Sequence, residues 1–245
     1  MQTPFFEERA QGYADLKSHR DSLQVKNQEW FSAAVKSGYM YQWNWMGIPF
    51  IQFPQDIMLL QQIITKEKPT VIIETGIARG GSSAFFASML HLSHLGTDNA
   101  FKVISIDIDI RDHTRLALEN FYLRDHITMI EGSSISEQTL LRVKSLVQTD
   151  DHVMVFLDSN HTHAHVRREL EMYSQLVSRG QYLVVMDTVI EYLEEDTSSN
   201  KPWSKGDNPL TAVQQFLPNS GFTIDEFSDT IYGPTCAPFG YLKRI

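Results

Sequence analysis

Five short apolar runs in this sequence close on an acid. Val71-Ile72-Ile73 ends at Glu74, Phe101 to Ile106 at Asp107, Ile127 to Ile130 at Glu131, Val153 to Leu157 at Asp158, and Tyr182 to Met186 at Asp187. A carboxylate at the end of a buried strand costs desolvation energy unless it has a partner, so the repetition calls for a ligand or a cation there. The first acid leads into Thr75-Gly76-Ile77-Ala78-Arg79-Gly80-Gly81-Ser82, whose glycines permit a tight turn and close approach of a ligand to a helix N-terminus. The spacing is neither the dinucleotide fingerprint nor the Gly-Lys-Ser/Thr ending of a phosphate loop. Asp107 is placed to accept both hydroxyls of a ribose, with Asp109 as its competitor and helix capping as the plainer role. Glu131 and Ser133 would then flank an adenine. A ribose acid and a glycine turn without phosphate-reading lysines suit a nucleoside that carries no phosphate, and S-adenosylmethionine is such a ligand.

Asp158 and Asp187 end neighbouring strands in the expected order, so their carboxylates could share one hard divalent ion, magnesium first among them, with Thr188 beside it. Methyl transfer to oxygen needs the acceptor aligned and its proton removed. An ion would lower the acceptor's pKa. Without one, His161, three residues beyond Asp158, is the candidate base. His163 and His165 fall in the following helix, where capping or solvent contacts are the simpler role. Tyr41, Trp43 and Trp45, together with Tyr39, could stack on a sugar or planar acceptor, or simply pack an extension onto the domain. Trp203 closes an aperiodic stretch from Tyr192 that would cover the acceptor. Two other readings stay open. His161, His163 and Asp158 supply the residue types of a non-haem iron oxygenase, although a βαβ scaffold without an evident oxoglutarate-binding arginine argues against it. The fold could also bind a ligand without turnover.

These residues need a scaffold that brings strand ends together. The near-continuous apolar runs alternate with helical segments, which predicts a doubly wound α/β domain with a mostly parallel sheet covered on both faces. A helix is expected from Pro54 to about Lys66, another from Ser82 to Leu95, and a last one from Asn208 to Phe216. Strands near Phe222 to Phe227 and Phe239 to Lys243 bring the sheet to seven. Residues 1–53 read as a helical and aromatic extension, and 54–245 as the ligand-binding domain.

The charge balance limits the partners. Thirty acids against 21 Lys and Arg give a net charge of -9, with no basic stripe, which disfavours nucleic acid. The lone cysteine, Cys236, cannot form an internal disulfide, and the first residues lack a basic start and apolar run, so a cytoplasmic location is expected. No uncharged apolar run approaches the roughly 20 residues of a membrane-spanning helix. The aromatic extension points toward self-association into a homo-oligomer.

Glu-Thr-Gly-Ile-Ala-Arg-Gly-Gly-Ser-Ser at 74–83, Leu-Asp-Ser-Asn-His-Thr-His at 157–163, Asp-Thr-Val-Ile-Glu at 187–191 and Pro-Trp-Ser-Lys-Gly-Asp-Asn-Pro at 202–209 resemble the so-called cephalosporin hydroxylase family. Trp45-Met-Gly-Ile-Pro49 through Pro54-Gln-Asp56 extends the likeness, which covers about residues 38–245. The resemblance implies a class I methyltransferase fold, S-adenosylmethionine as cofactor with contacts from Glu74, Gly76, Ser82 and Asp107, and O-methylation of a small-molecule or sugar hydroxyl linked to surface polysaccharides. Asp158 with Asp187-Thr188 is also similar to the metal site of catechol-type O-methyltransferases, where an Asp-Asn pair follows the fifth strand.

Overall fold

Apolar residues at helical spacing bury one face of helix α1 (Arg20–Lys36), where Phe31 and Ala34 enter the core. The aromatic segment that follows is locally regular. It forms a 3-10 turn (Tyr39–Gln42) and then a small antiparallel hairpin of β1 (Asn44–Trp45) and β2 (Ile48–Pro49). Helix α2 (Pro54–Glu67) opens on a proline whose fixed φ suits a first helical position, and it buries Leu59, Leu60, Ile63 and Ile64. The computed structural model describes residues 12–194, 200–225 and 235–245. The start of the helical extension expected over residues 1–53, part of the aperiodic stretch after Tyr192, and the end of the strand expected near Phe227 lie outside them.

Alternation sets the sheet. In β3 (Val71–Thr75), Val71 and Ile73 face one apolar core while Ile72 faces the other. The same division holds in β6 (Val153–Leu157), where Met154 and Phe156 oppose Val153, Val155 and Leu157. With β4 (Lys102–Asp107), β5 (Ile127–Glu131), β7 (Tyr182–Val185), β8 (Phe222–Ile224) and β9 (Tyr241–Arg244), these strands form one seven-stranded sheet in the order β5-β4-β3-β6-β7-β9-β8. Neighbours from β5 to β7 are parallel, and β9 runs antiparallel between β7 and β8.

Helices fill both faces, as two-sided apolar strands require. Residues of α1, α2, α3 (Gly81–Ser93) and α4 (Asp112–Glu119) join one core, and residues of α5 (Glu137–Leu146), α6 (His163–Tyr173) and α7 (Pro209–Phe216) join the other. The chain runs outward from β3 through β4 to β5 and then crosses back to β6. This reversal opens a crevice at the carboxyl ends of β3 and β6, the place where such sheets hold ligands. No described helix is long and apolar enough to cross a membrane.

One buried acid ties the start of α2 to the far end of the chain. Asp56 is fully buried and accepts hydrogen bonds from the Thr235 hydroxyl, from the Cys236 amide at 2.8 Å and from the Tyr241 hydroxyl at 2.8 Å. Burial pushes its carboxyl up to about 6. The folded protein therefore keeps a proton that the unfolded chain gives up near pH 3.9. The stability this group contributes is complete below about pH 3.9 and is lost as pH rises through about 6, a difference of about 3 kcal/mol. Urea unfolding at pH 4 to 7 should show that decline in the wild type and a flatter profile in Asp56→Asn. Equal slopes in both proteins would reject the assignment.

Candidate functional site

Backbone hydrogen bonds at the carboxyl edge hold the strand ends level. Gly76 N–H donates to Ile106 O at 2.7 Å, Asp158 N–H to Thr75 O at 2.9 Å, and Met186 N–H to Leu157 O at 3.0 Å. The residues that follow β3, β6 and β7 are thereby brought to one rim. They line a cavity of about 440 Å³ whose wall includes Gly76, Gly81, Ser82, Asp158, His161 and Asp187. Tyr41 and Trp203 also line it.

The glycine turn can lie this close only because two of its residues lack a side chain. Gly76 has φ +88°, and a Cβ there would stand 2.1 Å from the Asp158 carbonyl oxygen. At Gly81 a Cβ would stand 2.4 Å from Pro49 O. Asp107 shapes the turn from below. Its Oδ2 accepts the amides of Ile77 at 2.8 Å and Ala78 at 3.1 Å, which steadies the left-handed Ala78 (φ 47°). Its Oδ1 accepts the Asp109 amide at 3.1 Å. Glu74 lies deeper still, fully buried, accepting the Ser83 hydroxyl and, at 2.5 Å, the Ser105 hydroxyl, with its second oxygen unpartnered. Burial raises its pKa.

The acidic corner is the electrostatic centre of the cavity. Asp158, Asp187 and His161 each present a donor atom within 4.8 Å of the others, and His161 Nε2 stands 3.2 Å from Asp187 Oδ2. Asp187 follows β7 by two residues in the left-handed conformation (φ 56°), which turns its carboxylate toward β6. Burial pushes the Asp158 carboxyl well above the ordinary carboxylate range, and the charges of Asp187 and Glu74 push it further. Among the described residues no Lys or Arg forms an ion pair with Asp158 or Asp187. Two carboxylates and an imidazole with uncompensated negative charge make a donor set suited to a divalent cation. Cys236 also lines the cavity, and burial, with the nearby charge of Asp187, raises its thiol pKa.

Several expected residues stand elsewhere. Thr188 is fully buried and its hydroxyl donates to Pro238 O at 2.6 Å, so His161 replaces it as the third donor beside the two acids. Trp45 packs edge-on against Phe85 and donates Nε1 to Ser88 Oγ at 3.0 Å, and Trp43 packs against Tyr39, leaving Tyr41 as the aromatic of that group on the cavity. Thr75 is fully buried, Gly80 packs over Leu118, and Glu131 pairs with Arg115. Ser133 lies in the turn after β5, its carbonyl accepting the Ser136 amide at 3.1 Å. Glu74, Thr75, Gly80, Asp107, Glu131 and Ser133 thus support or flank the cavity rather than line it. His163 bonds Thr211 Oγ1 at 2.8 Å and Gln215 Oε1 at 2.9 Å, which takes it out of any triad with His161 and Asp158. Trp203 packs edge-on against His161 at 4.6 Å, with the Lys201 ammonium 5.5 Å from its ring centre. Its loop is anchored by Glu191 Oε2, which accepts Gly206 N–H at 2.8 Å and Asn208 Nδ2 at 2.6 Å. Sequence reasoning missed Gln52, Arg79, Lys201 and Cys236 on the wall.

Residues 37–245 match the model of the rhamnosyl O-methyltransferase/CmcI family. A rhamnosyl O-methyltransferase of Mycobacterium tuberculosis (strain ATCC 25618 / H37Rv) is 29% identical over 211 residues, which is 82% of this chain and 78% of that protein. The one from Mycobacterium leprae (strain TN) is 29% identical over 172 residues, 69% of each. Among solved structures, CmcI with Mg and SAM superposes with a TM-score of 0.59 at 17% identity, covering 84% of this chain and 77% of the other. A Bacillus cereus O-methyltransferase in complex with SAH gives 0.50 at 16% identity, covering 78% and 76%.

Proposed function

Since the chain belongs to the rhamnosyl O-methyltransferase/CmcI family, we propose that it methylates a sugar hydroxyl, a rhamnosyl unit being the first candidate, with S-adenosylmethionine as donor and a divalent ion held by Asp158 and Asp187. The observation that carries this reading is the meeting, in one cavity, of a glycine turn at a helix N-terminus and two aspartates with a histidine beside them and no Lys or Arg paired to either among the described residues.

The donor fits the residues present. Gly76 and Gly81 leave the turn open to close backbone contact, and Asp107 sets the turn's conformation. The bound cofactor supplies an electrophilic methyl carbon on a sulfonium, and a bound ion supplies a Lewis acid that lowers the acceptor's pKa. The protein's own task is alignment and proton removal. Asp158 and Asp187 would hold the ion, because a hard cation favours their oxygens over an imidazole nitrogen. Asp187 Oδ2, 3.2 Å from His161 Nε2, is close enough to orient the imidazole that is the candidate base for the acceptor's proton. Tyr41 and Trp203 offer ring surfaces to a pyranose, and Trp203 keeps water from His161. The apolar share of the wall, from Met40, Ile190 and Leu193, fits the CH face of a deoxy sugar.

Two measurements test this together. Calorimetry should show micromolar S-adenosylhomocysteine binding to the wild-type protein, and the absence of any binding would defeat the proposal. With rhamnosides as acceptors, His161→Ala should lower turnover by about 10²- to 10⁴-fold. Full turnover across neutral pH in that variant would remove His161 from the mechanism.

A further inference from the structure

Glu169 is a buried carboxylate on α6 that the methyl-transfer chemistry leaves unused. It is 1% exposed. Its Oε1 accepts the Ser159 hydroxyl at 2.7 Å, and its Oε2 is buried without a hydrogen-bond partner among the described residues. A carboxylate in so dry a place costs more than one hydrogen bond returns, and an apolar residue of similar size would cost less. Its neighbours on the helix extend the same cluster. His165 Nε2 stands 3.5 Å from Glu169 Oε1, 3.0 Å from Ser134 Oγ and 3.2 Å from Ser159 Oγ, so one imidazole reaches both the turn after β5 and the loop after β6. Tyr173 donates its hydroxyl to Ser134 O at 2.8 Å. Spaced four residues apart, His165, Glu169 and Tyr173 share one face of α6.

Ser159 is where this cluster meets the cavity. It follows Asp158, precedes His161 by two residues and lines the cavity wall. The Asp158 amide fixes the start of the loop on Thr75 O at 2.9 Å, and the His163 amide fixes its end on Asp207 Oδ1 at 2.7 Å. Between those anchors the Asn160 Oδ1 atom accepts within the loop, from the Thr162 amide at 2.9 Å and the Thr162 hydroxyl at 2.8 Å. The Ser159 hydroxyl reaches out to α6 instead. Ser159 Cα also lies 2.9 Å from where a Cβ on Gly76 would be, so the loop rests on the glycine turn as well. A hydrogen bond to a carboxylate is among the stronger kinds, and this one acts on the residue next to Asp158.

Resting on the methyl-transfer reading and its divalent ion, we infer that Glu169 is a positioning residue: through Ser159 it holds the loop that carries Asp158 and His161, and His165 braces Ser159 in place. Glu169 itself does not line the cavity, so its effect on the site passes through Ser159. An ion shared by Asp158 and Asp187 needs their oxygens at a fixed separation. Asp187 is set by its own left-handed backbone, and Asp158 by the strand end and the loop that leaves it. Partners that orient metal ligands from outside commonly tune affinity by about 10- to 100-fold.

The test is a double-mutant cycle on magnesium affinity, titrated calorimetrically into the full chain. Ser159→Ala deletes the hydroxyl at an exposed position, and Glu169→Asp keeps the charge while withdrawing its oxygens by one methylene. Each change should weaken magnesium binding about 10- to 100-fold, and the double variant should bind no more weakly than either single one. S-adenosylhomocysteine affinity, measured without magnesium, should stay the same in all four proteins. Wild-type magnesium affinity in Ser159→Ala would overturn the assignment even where a variant of the buried acid does not fold. Losses that add would overturn it too, because Glu169 would then act independently of Ser159. A lowered melting temperature with magnesium affinity intact would mark the cluster as packing alone. A wild type that binds S-adenosylhomocysteine but no magnesium would instead strike the ion beneath the proposal, and this role with it.

Discussion

Asp158→Asn yields a protein that melts higher than wild type in the absence of divalent ions, gains nothing from added magnesium, and turns over at least about 100-fold more slowly. Three charges explain the three results. The Asp158 carboxyl is pushed well above its ordinary range by burial and by the facing charges of Asp187 and Glu74, so a neutral amide of the same shape relieves repulsion. Relief of even one kcal/mol raises the melting temperature of a chain this size by about 2–4 °C. The same substitution removes one of the two carboxylates proposed to hold the ion. Altering even the outer partners of metal ligands typically costs about 10- to 100-fold, so losing a ligand itself costs more. Differential scanning with and without magnesium, paired with initial rates, reads all three effects. An identical magnesium-induced shift in wild type and variant would show that the ion, if bound, sits elsewhere. Because protons compete for the same oxygens, magnesium binding to the wild type should weaken as the pH falls through the raised pKa of Asp158.

Gly76→Ala has the larger effect on the fold. The added Cβ would lie 2.1 Å from the Asp158 carbonyl oxygen and 2.7 Å from its carbon, and both are backbone atoms of a central strand's end. Neither can swing aside as a side chain would. The φ of +88° adds the cost of placing an L side chain in left-handed space. Overpacking and strain together should lower stability by roughly 3 kcal/mol or more, which is about 10 °C in melting temperature. Gly206 is the matched control, with a similar φ of +85° and nothing within 4 Å of its would-be Cβ. Gly206→Ala should lose about 1 kcal/mol, the backbone cost alone. Comparable losses at the two sites would show that the close approach to Asp158 is not what demands glycine at position 76.

The parts of this molecule that local pattern determines were legible in the sequence. Period-two burial in Val71-Ile72-Ile73 and in 153–157 follows from a strand lying between two helix layers, and it places Asp158 and Asp187 at neighbouring exits without knowledge of any distant contact. The glycine turn was legible for the same reason, since its chemistry is contained in ten consecutive residues. What the sequence hid depends on segments far apart in the chain. Asp56 reads as an ordinary first-turn acid of α2, yet its partners lie about 180 residues away, and nothing local announces that it is dry. Trp45 carries the same information as Tyr41 in one dimension. In three, Ser88 and Phe85 capture Trp45 while Tyr41 remains on the cavity. Thr188 is adjacent to Asp187, but the left-handed backbone at Asp187 sends the two side chains apart. Gln52 sits in a stretch with no periodicity, so nothing local announces that it lines the cavity.

The insertion of β9 between β7 and β8 bears on how the protein is made. Residues 235–241 supply Cys236 to the cavity wall and the hydroxyls and amide that satisfy Asp56, so the wall stays open until that stretch has left the ribosome. During synthesis the nascent chain already holds every carboxylate of the site, but with Asp56 lacking its partners and one side of the crevice wet. Contacts of such long sequence separation form late. A ligand that needs the finished cavity therefore distinguishes completed molecules from emerging ones, and the cell's own pool of cofactor would favour the chains that have closed.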